Sequence, residues 1–252
     1  MSPWEAIGVF VAGIGAGTIN TIVGSGTLIT FPVLLAVGLP PITANVSNTL
    51  GLVPGSVSGA LGYREELKGQ RPRLLRLGSA SLLGGLLGAI LLLLLPAAAF
   101  QAIVPILIGI ALLLVVVQPR LSRYLAVRGK GPTRAEGGIA LLLGVFGTGV
   151  YGGYFGAAQG VLLLGLMGLL LDDGLQRINA TKNVLALIVN GVAAIFFIFA
   201  ATIDWTAALL IAAGSVIGGQ VGSRVGRRLP PTALRVLIVA VGLTAMTKLL
   251  IG

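Results

Sequence analysis

The chain contains no cysteine and no histidine. That excludes disulfides, thiolate nucleophiles, zinc sites built on Cys or His, and every His-based acid–base arrangement. Acidic residues are scarce too: Glu5, Glu65, Glu66, Glu136, Asp172, Asp173 and Asp204 stand against 17 Lys and Arg. Charged residues make up only 10% of the chain, where a soluble domain has about a quarter. "MSPWEAIGVF" has no basic n-region and no small-residue cleavage site, so a cleaved signal peptide is not expected.

What fills the 252 residues instead is apolar: 56% hydrophobic, with mean hydropathy +1.04. Runs such as "LLGGLLGAILLLLL" and "AIVPILIGIALLLVVV" approach or reach the length needed to cross a hydrocarbon core of about 30 Å. The ~10-residue polar/apolar alternation of a β-barrel is absent from the sequence. The pattern predicts an all-α polytopic membrane protein with about ten membrane segments, near 5–22, 26–39, 42–62, 74–95, 99–117, 137–155, 158–171, 177–200, 205–222 and 232–250.

The basic residues fall between these segments, in "YREELKGQRPRLLR", "QPRLSRYLAVRGKGPTRAE" and "SRVGRRLPPTALR", whereas "LPAAAF" and "ATIDW" hold none. With the basic loops in the cytoplasm the segments alternate consistently, and every Lys and Arg except Lys248 lies on or near that side. Both termini are then expected outside, in a multi-pass protein of the plasma (inner) membrane. The same loops account for the net charge of +10, so nucleic acid is not an expected partner.

The two halves align. At an offset of 132 residues, "GAGTINTIVGSGTLITFPVLL" (15–35) falls on "GTGVYGGYFGAAQGVLLLGLM" (147–167), with Gly15, Gly17 and Gly24 on Gly147, Gly149 and Gly156. Five segments per half is an odd number, so the second half enters the membrane in the opposite sense. The expected organisation is a first membrane repeat (1–117), a basic cytoplasmic linker (118–136) and a second, inverted repeat (137–252). Segments two and seven are short, and each follows a glycine-rich junction. Paired short or glycine-interrupted segments at corresponding positions point to a transport site.

A helix that begins within the membrane directs unsatisfied N–H groups and partial positive charge at whatever occupies the site. Gly24-Ser25-Gly26-Thr27 and Gly156-Ala157-Ala158-Gln159 are the two candidate starts, and they favour an anion. In "TANVSNTLGLVPGS" the residues Asn45, Asn48, Thr49 and Ser56 share about 100° of helix arc. In "INATKNVLALIVNG" Asn179, Asn183 and Asn190 share about 40°, with Lys182 about 60° to one side. Polar side chains inside a membrane face the bundle interior and line pathways. Ser25, Gly26, Thr27, Asn45, Asn48, Thr49, Gln159, Asn179, Lys182 and Asn183 are therefore the candidate substrate-binding residues, a donor-rich set suited to a small oxyanion.

Each has an ordinary alternative. The amides and hydroxyls also serve as interhelical hydrogen-bond glue, and Lys182 is near enough to its helix end to snorkel. Tyr151 and Tyr154 read as packing, Gly214, Gly218, Gly222 and Gly226 as close helix contact, and Asp172 and Asp173 as caps of segment eight. Gly147–Gly152 fits GxGxxG without a soluble βαβ unit around it, and Ser25 has no His to act as base. No catalytic residue, metal site or cofactor is expected. No carboxylate sits at mid-membrane to carry a proton.

"GIGAGTINTIVGSGTLITFPVLLAVGLPPITANVSNT", with "GVYGGYFGAAQGVLLLGLMGLL" and "INATKNVLALIVN" in the second half, resembles the TauE/SafE family of sulfite exporters, also called the 4-toluene sulfonate uptake permease family. The likeness covers nearly the whole chain. It implies a secondary transporter of a small sulfur-containing anion, sulfite or an organosulfonate, working as an exporter by alternating access. An anion channel or an importer of another small oxyanion through the same pocket is the alternative. The resemblance adds Asn20 to the pocket beside Ser25, Thr27, Asn45 and Asn48. In the second half Gly152 and Ala157 stand where the first has Asn20 and Ser25. The expected partners are the anion and the lipid bilayer, and a homodimer is left open.

Overall fold

The computed structural model describes residues 1–127, 137–225, 239–240 and 243. Those residues form nine α-helices and no strand: α1 (Pro3–Ile22), α2 (Thr27–Ala36), α3 (Pro41–Gly62), α4 (Arg71–Leu94), α5 (Ala97–Val127), α6 (Gly138–Tyr154), α7 (Gln159–Leu170), α8 (Leu175–Ala200) and α9 (Trp205–Val225). They match the first nine expected segments to within a few residues, except that α5 runs ten residues past 117, into the stretch read as linker. Most of the tenth, 232–250, lies outside the described residues, as do 128–136 and Gly226.

Local chemistry sets the ends. Ser2 caps α1 in a capping box with Glu5, and Pro3 fills the first turn. Pro41 opens α3 in the same way. Asp204 accepts the Ala207 amide at 2.8 Å and so caps α9. Asp173 sits one residue ahead of the α8 cap, accepting from the Gly174 amide at 2.8 Å. The expected capping by Asp172 and Asp173 is therefore not found, since the α8 N-cap is Gly174 and has no side-chain bond; Asp173 instead pairs with Arg73 of α4 at 2.6 Å and with Arg177 at 3.0 Å.

Five described helices, α1, α4, α5, α8 and α9, contain stretches long and apolar enough to cross a membrane. The outer faces carry exposed Leu83, Leu113, Leu143, Phe199 and Leu209, while Asn45, Asn48, Thr181 and Lys182 are buried. Apolar outside and polar within is the arrangement lipid demands. The protein is a multi-pass membrane protein.

The packing crosses the halves. α4 lies on α6 and α8, α9 lies on α1 and α3, and α3 meets α8 at the centre. Exchanging α1 with α6, α2 with α7, α3 with α8 and α4 with α9 leaves this set of neighbours unchanged. The hydrogen bonds follow the same exchange: Ser47 of α3 accepts the amide of Asp204 at the start of α9 (2.9 Å), and Thr181 of α8 donates to Gln70 at the start of α4 (2.9 Å). The glycine stripe on α9 is close packing, since a Cβ on Gly218 would overlap the Ile14 carbonyl of α1.

Candidate substrate site

The two glycine-rich junctions are helix breaks, and they touch. At the first, Gly24 takes φ +85° and donates to the Ile19 carbonyl at 3.0 Å. At the second, Gly156 takes φ +76° and donates to the Tyr151 carbonyl at 3.1 Å. The two turns have the same φ sign, the same i→i−5 bond and the 132-residue offset seen in the sequence. A hydrogen bond joins them, the Gly160 amide donating to the Gly24 carbonyl at 3.1 Å. A Cβ on either glycine would overlap the other's Cα, so backbone meets backbone here.

From these turns α2 and α7 set off inside the protein. Their N-caps, Gly26 and Ala158, supply no side-chain hydrogen bond to the first turn. Ala158 holds φ +58°, uncommon for a residue with a Cβ. The first-turn amides of α7 are met by backbone carbonyls, Gln159 by Gly156, Gly160 by Gly24 and Val161 by Ala158, and in α2 those of Leu28 and Ile29 by Ser25 and Gly26, so what both helix starts direct into the interior is dipole charge. Ser25 is wholly buried, and Thr27 and Gln159 nearly so.

The other ends, the last carbonyls of α1 and α6, are satisfied across the halves. Lys182 of α8, fully buried, donates to the Asn20 carbonyl at 3.0 Å and the Thr21 carbonyl at 3.1 Å. Asn179 of α8 also reaches the Thr21 carbonyl, at 3.5 Å. In the mirror arrangement Asn45 of α3 donates to the Tyr154 carbonyl of α6 at 3.0 Å. Lys182 thus does not snorkel. Its ammonium caps the negative end of a broken helix, and its stem passes 3.0 Å from where a Cβ on Gly160 would be.

Several predicted residues act mainly as internal ties. Asn48 donates to the Thr27 hydroxyl at 3.2 Å and accepts from Thr30, fixing α2 to α3. The Thr49 hydroxyl bonds the Asn45 carbonyl one turn back, at 2.9 Å. Asn20, half-buried, donates to Ser56 at 3.4 Å. Gly26 packs on the Ala16 carbonyl. Tyr151 donates to the Ala157 carbonyl at 2.5 Å and holds the second turn closed.

Others keep a buried atom without a partner: Ser25 Oγ, Asn45 Oδ1, Gln159 Nε2, Asn179 Oδ1 and Asn183 Nδ2. An unpaired buried polar atom costs about 1–3 kcal/mol. These five atoms belong to the breaks and to the two helices beside them, and three of them are donors suited to an oxyanion. Sequence reasoning missed Thr21, Thr30, Gln70 and Thr181. Gln70 is the N-cap residue of α4, next to Arg71, and Thr181 is one turn after Arg177 in α8, so both are adjacent to charges; Thr21 follows Asn20 at the end of α1, and Thr30 is a single hydroxyl among apolar neighbours. Elsewhere, an open cavity of about 490 Å³ between α5, α6 and α7 is lined by Leu114, Gln118, Thr148 and Tyr151 and by none of the predicted residues.

Broken helices meeting at a buried, donor-rich crossing, in a multi-pass apolar bundle, define a membrane transporter and not an enzyme. The model of the family "Sulfite exporter TauE/SafE" matches residues 9–249, and the chain belongs to that family. The relatives carry matching descriptions. A "Probable membrane transporter protein ORF9" of Sinorhizobium sp is 29% identical over 248 residues, 96% of this chain and 91% of its own. The "Probable membrane transporter protein YfcA" of Escherichia coli K12 is 27% identical over 251 residues, covering 96% and 88%. A "Probable membrane transporter protein" of Haemophilus influenzae is 26% identical over 244 residues, covering 96% and 92%. No solved structure matches the chain.

Proposed function

We propose that the protein is a secondary transporter that exports a small sulfur-containing anion, sulfite or an organosulfonate, across the plasma (inner) membrane. It does so by alternating access between two inverted five-segment repeats, 1–117 and 137–252, joined by a basic cytoplasmic linker, with both termini outside. The observation that carries this reading is the bond between Gly160 and Gly24, which joins two helix starts without side-chain caps, flanked by the unpartnered Ser25 Oγ and Gln159 Nε2. Two half-helix dipoles converging on buried donors suit a compact oxyanion. The exchange-symmetric packing supports the repeat, because it gives each half the same neighbours in the other, and the odd number of segments per half is what makes it inverted in this reading.

The substrate-binding residues in this reading are Ser25, Gly26, Thr27, Gln159 and Asn183, with Asn45 and Asn179 as acceptors for water or a substrate N–H or O–H. Asn20, Asn48, Thr49 and Lys182 hold the framework around them. All but Asn20 are buried. The test is efflux of radiolabelled sulfite from proteoliposomes. Saturable efflux that shows counterflow exchange supports the reading. Efflux equal to that of protein-free vesicles, for sulfite and methanesulfonate alike, contradicts it.

A further inference from the structure

Broken-helix transporters hold their coupling cation at unwound carbonyls and at the C-terminal ends of half-helices. Here that position at the end of α1 is filled by a side chain. Lys182 Nζ lies 3.0 and 3.1 Å from the Asn20 and Thr21 carbonyls, and the residue is fully buried. No carboxylate pairs with it among the described residues. α1 carries one titratable side chain, Glu5, at its far end, and α3 and α7 carry none. α6 offers Tyr151, engaged with the Ala157 carbonyl, and Tyr154. α4 offers Arg71, Arg73 and Arg76 in its first turns, with Arg73 committed to Asp173, and α8 itself adds Arg177, also on Asp173.

A charge buried without a counter-charge is costly, and the two carbonyls offset only part of that cost. A monoanion arriving at the Gly24–Gly160 crossing, which the Lys182 stem passes, supplies the missing negative charge. When the anion leaves, the ammonium is again uncompensated.

We propose that Lys182 is the proton-carrying residue of the transport cycle, its ammonium standing where a coupling cation would otherwise bind, so that one proton crosses with each monoanion. The proposal rests on the transport reading above. On the loading side the Lys182 amine takes a proton from water and the anion binds. On the releasing side the anion departs and the ammonium returns that proton to water. The neutral amine then resets across the membrane. The net movement of one proton and one monoanion is electroneutral, so its direction follows the combined gradient of the two. Sodium has no part in it.

The experiment uses full-length protein in proteoliposomes with trapped pyranine and methanesulfonate, an organosulfonate that stays ionised throughout the working pH range. The wild type is expected to move one proton per methanesulfonate, at the same rate when choline replaces sodium. Lys182→Arg keeps donors for both carbonyls but cannot release a proton. It is expected to retain counterflow exchange while net flux falls at least tenfold. Lys182→Met is expected to lose the proton signal. Wild-type flux without proton movement, flux that requires sodium, or full proton-coupled net flux in Lys182→Arg overturns the proposal and leaves the transport reading standing. No flux of methanesulfonate or sulfite in the wild type overturns both.

Discussion

The amide of Gly160, in the first turn of α7, donates to the carbonyl of Gly24, in the break that precedes α2, across 3.1 Å. Residues 136 positions apart in the sequence thereby join the two helix breaks.

Gly24→Ala combines two penalties, a Cβ at φ +85° and overlap with Gly160 Cα. Gly38 provides a control, since it has φ +89° but nothing within 4 Å of an added Cβ. Gly38→Ala should cost only the left-handed strain, about 1–2 kcal/mol. Gly24→Ala should cost a further 1–3 kcal/mol or so from overpacking. Thermal unfolding of the two variants in one detergent compares them, and equal melting temperatures would contradict the close contact.

Asn45→Ala and Asn179→Ala remove similar volume but not the same bonds. The Thr21 carbonyl keeps its bond to Lys182 when Asn179 is lost, whereas the Tyr154 carbonyl loses the Asn45 amide that satisfies it. Asn45→Ala should therefore be the more destabilising by about 1 kcal/mol. The same unfolding assay reads the order.

Much of this arrangement was legible in the sequence, because it is written in local chemistry. Hydropathy and glycine set the nine described helices, and Gly24 and Gly156 marked both breaks. What escaped depends on a small insertion. α7 has 12 residues where α2 has 10, so the offset grows from 132 at the breaks to 134 in α3 and α8. Only at 134 does Asn45 match Asn179, and Asn48 match Lys182. The direction of Lys182 was equally hidden. Its distance from the helix end suited a snorkelling side chain, while the carbonyls it caps belong to the other half of the chain.

Asp173 makes a pH-dependent contribution. Partial burial pushes its carboxyl up, but the Arg73 hydrogen bond, the Gly174 amide and the charges of Arg73 and Arg177 outweigh this and hold it below the usual carboxylate range. A lowered folded value means that the stabilisation is complete above the unfolded value of about 4 and is lost as pH falls through the folded one. Asp173→Asn should lower the melting temperature at pH 7 and reduce the loss of stability on acidification. A melting temperature that differs between pH 7 and pH 6 in the wild type but not in Asp173→Asn would put the titration outside this window.

Asn48 and Ser25 should separate stability from binding. Asn48 makes hydrogen bonds to Thr27 and Thr30, so Asn48→Ala should destabilise the protein by about 1–3 kcal/mol through the loosened α2–α3 tie. Ser25 Oγ makes none, so Ser25→Ala should leave the ligand-free protein unchanged or up to about 1 kcal/mol more stable.

The most direct measurement of the central claim, that an oxyanion binds where the two breaks meet, is sulfite affinity by calorimetry for the wild type and Ser25→Ala. A hydrogen bond to a charged group contributes about 1.5–3 kcal/mol, so Ser25→Ala should bind sulfite about ten- to a hundredfold more weakly while melting no lower than the wild type. Equal affinity in the two proteins would contradict the placement of the anion at this crossing.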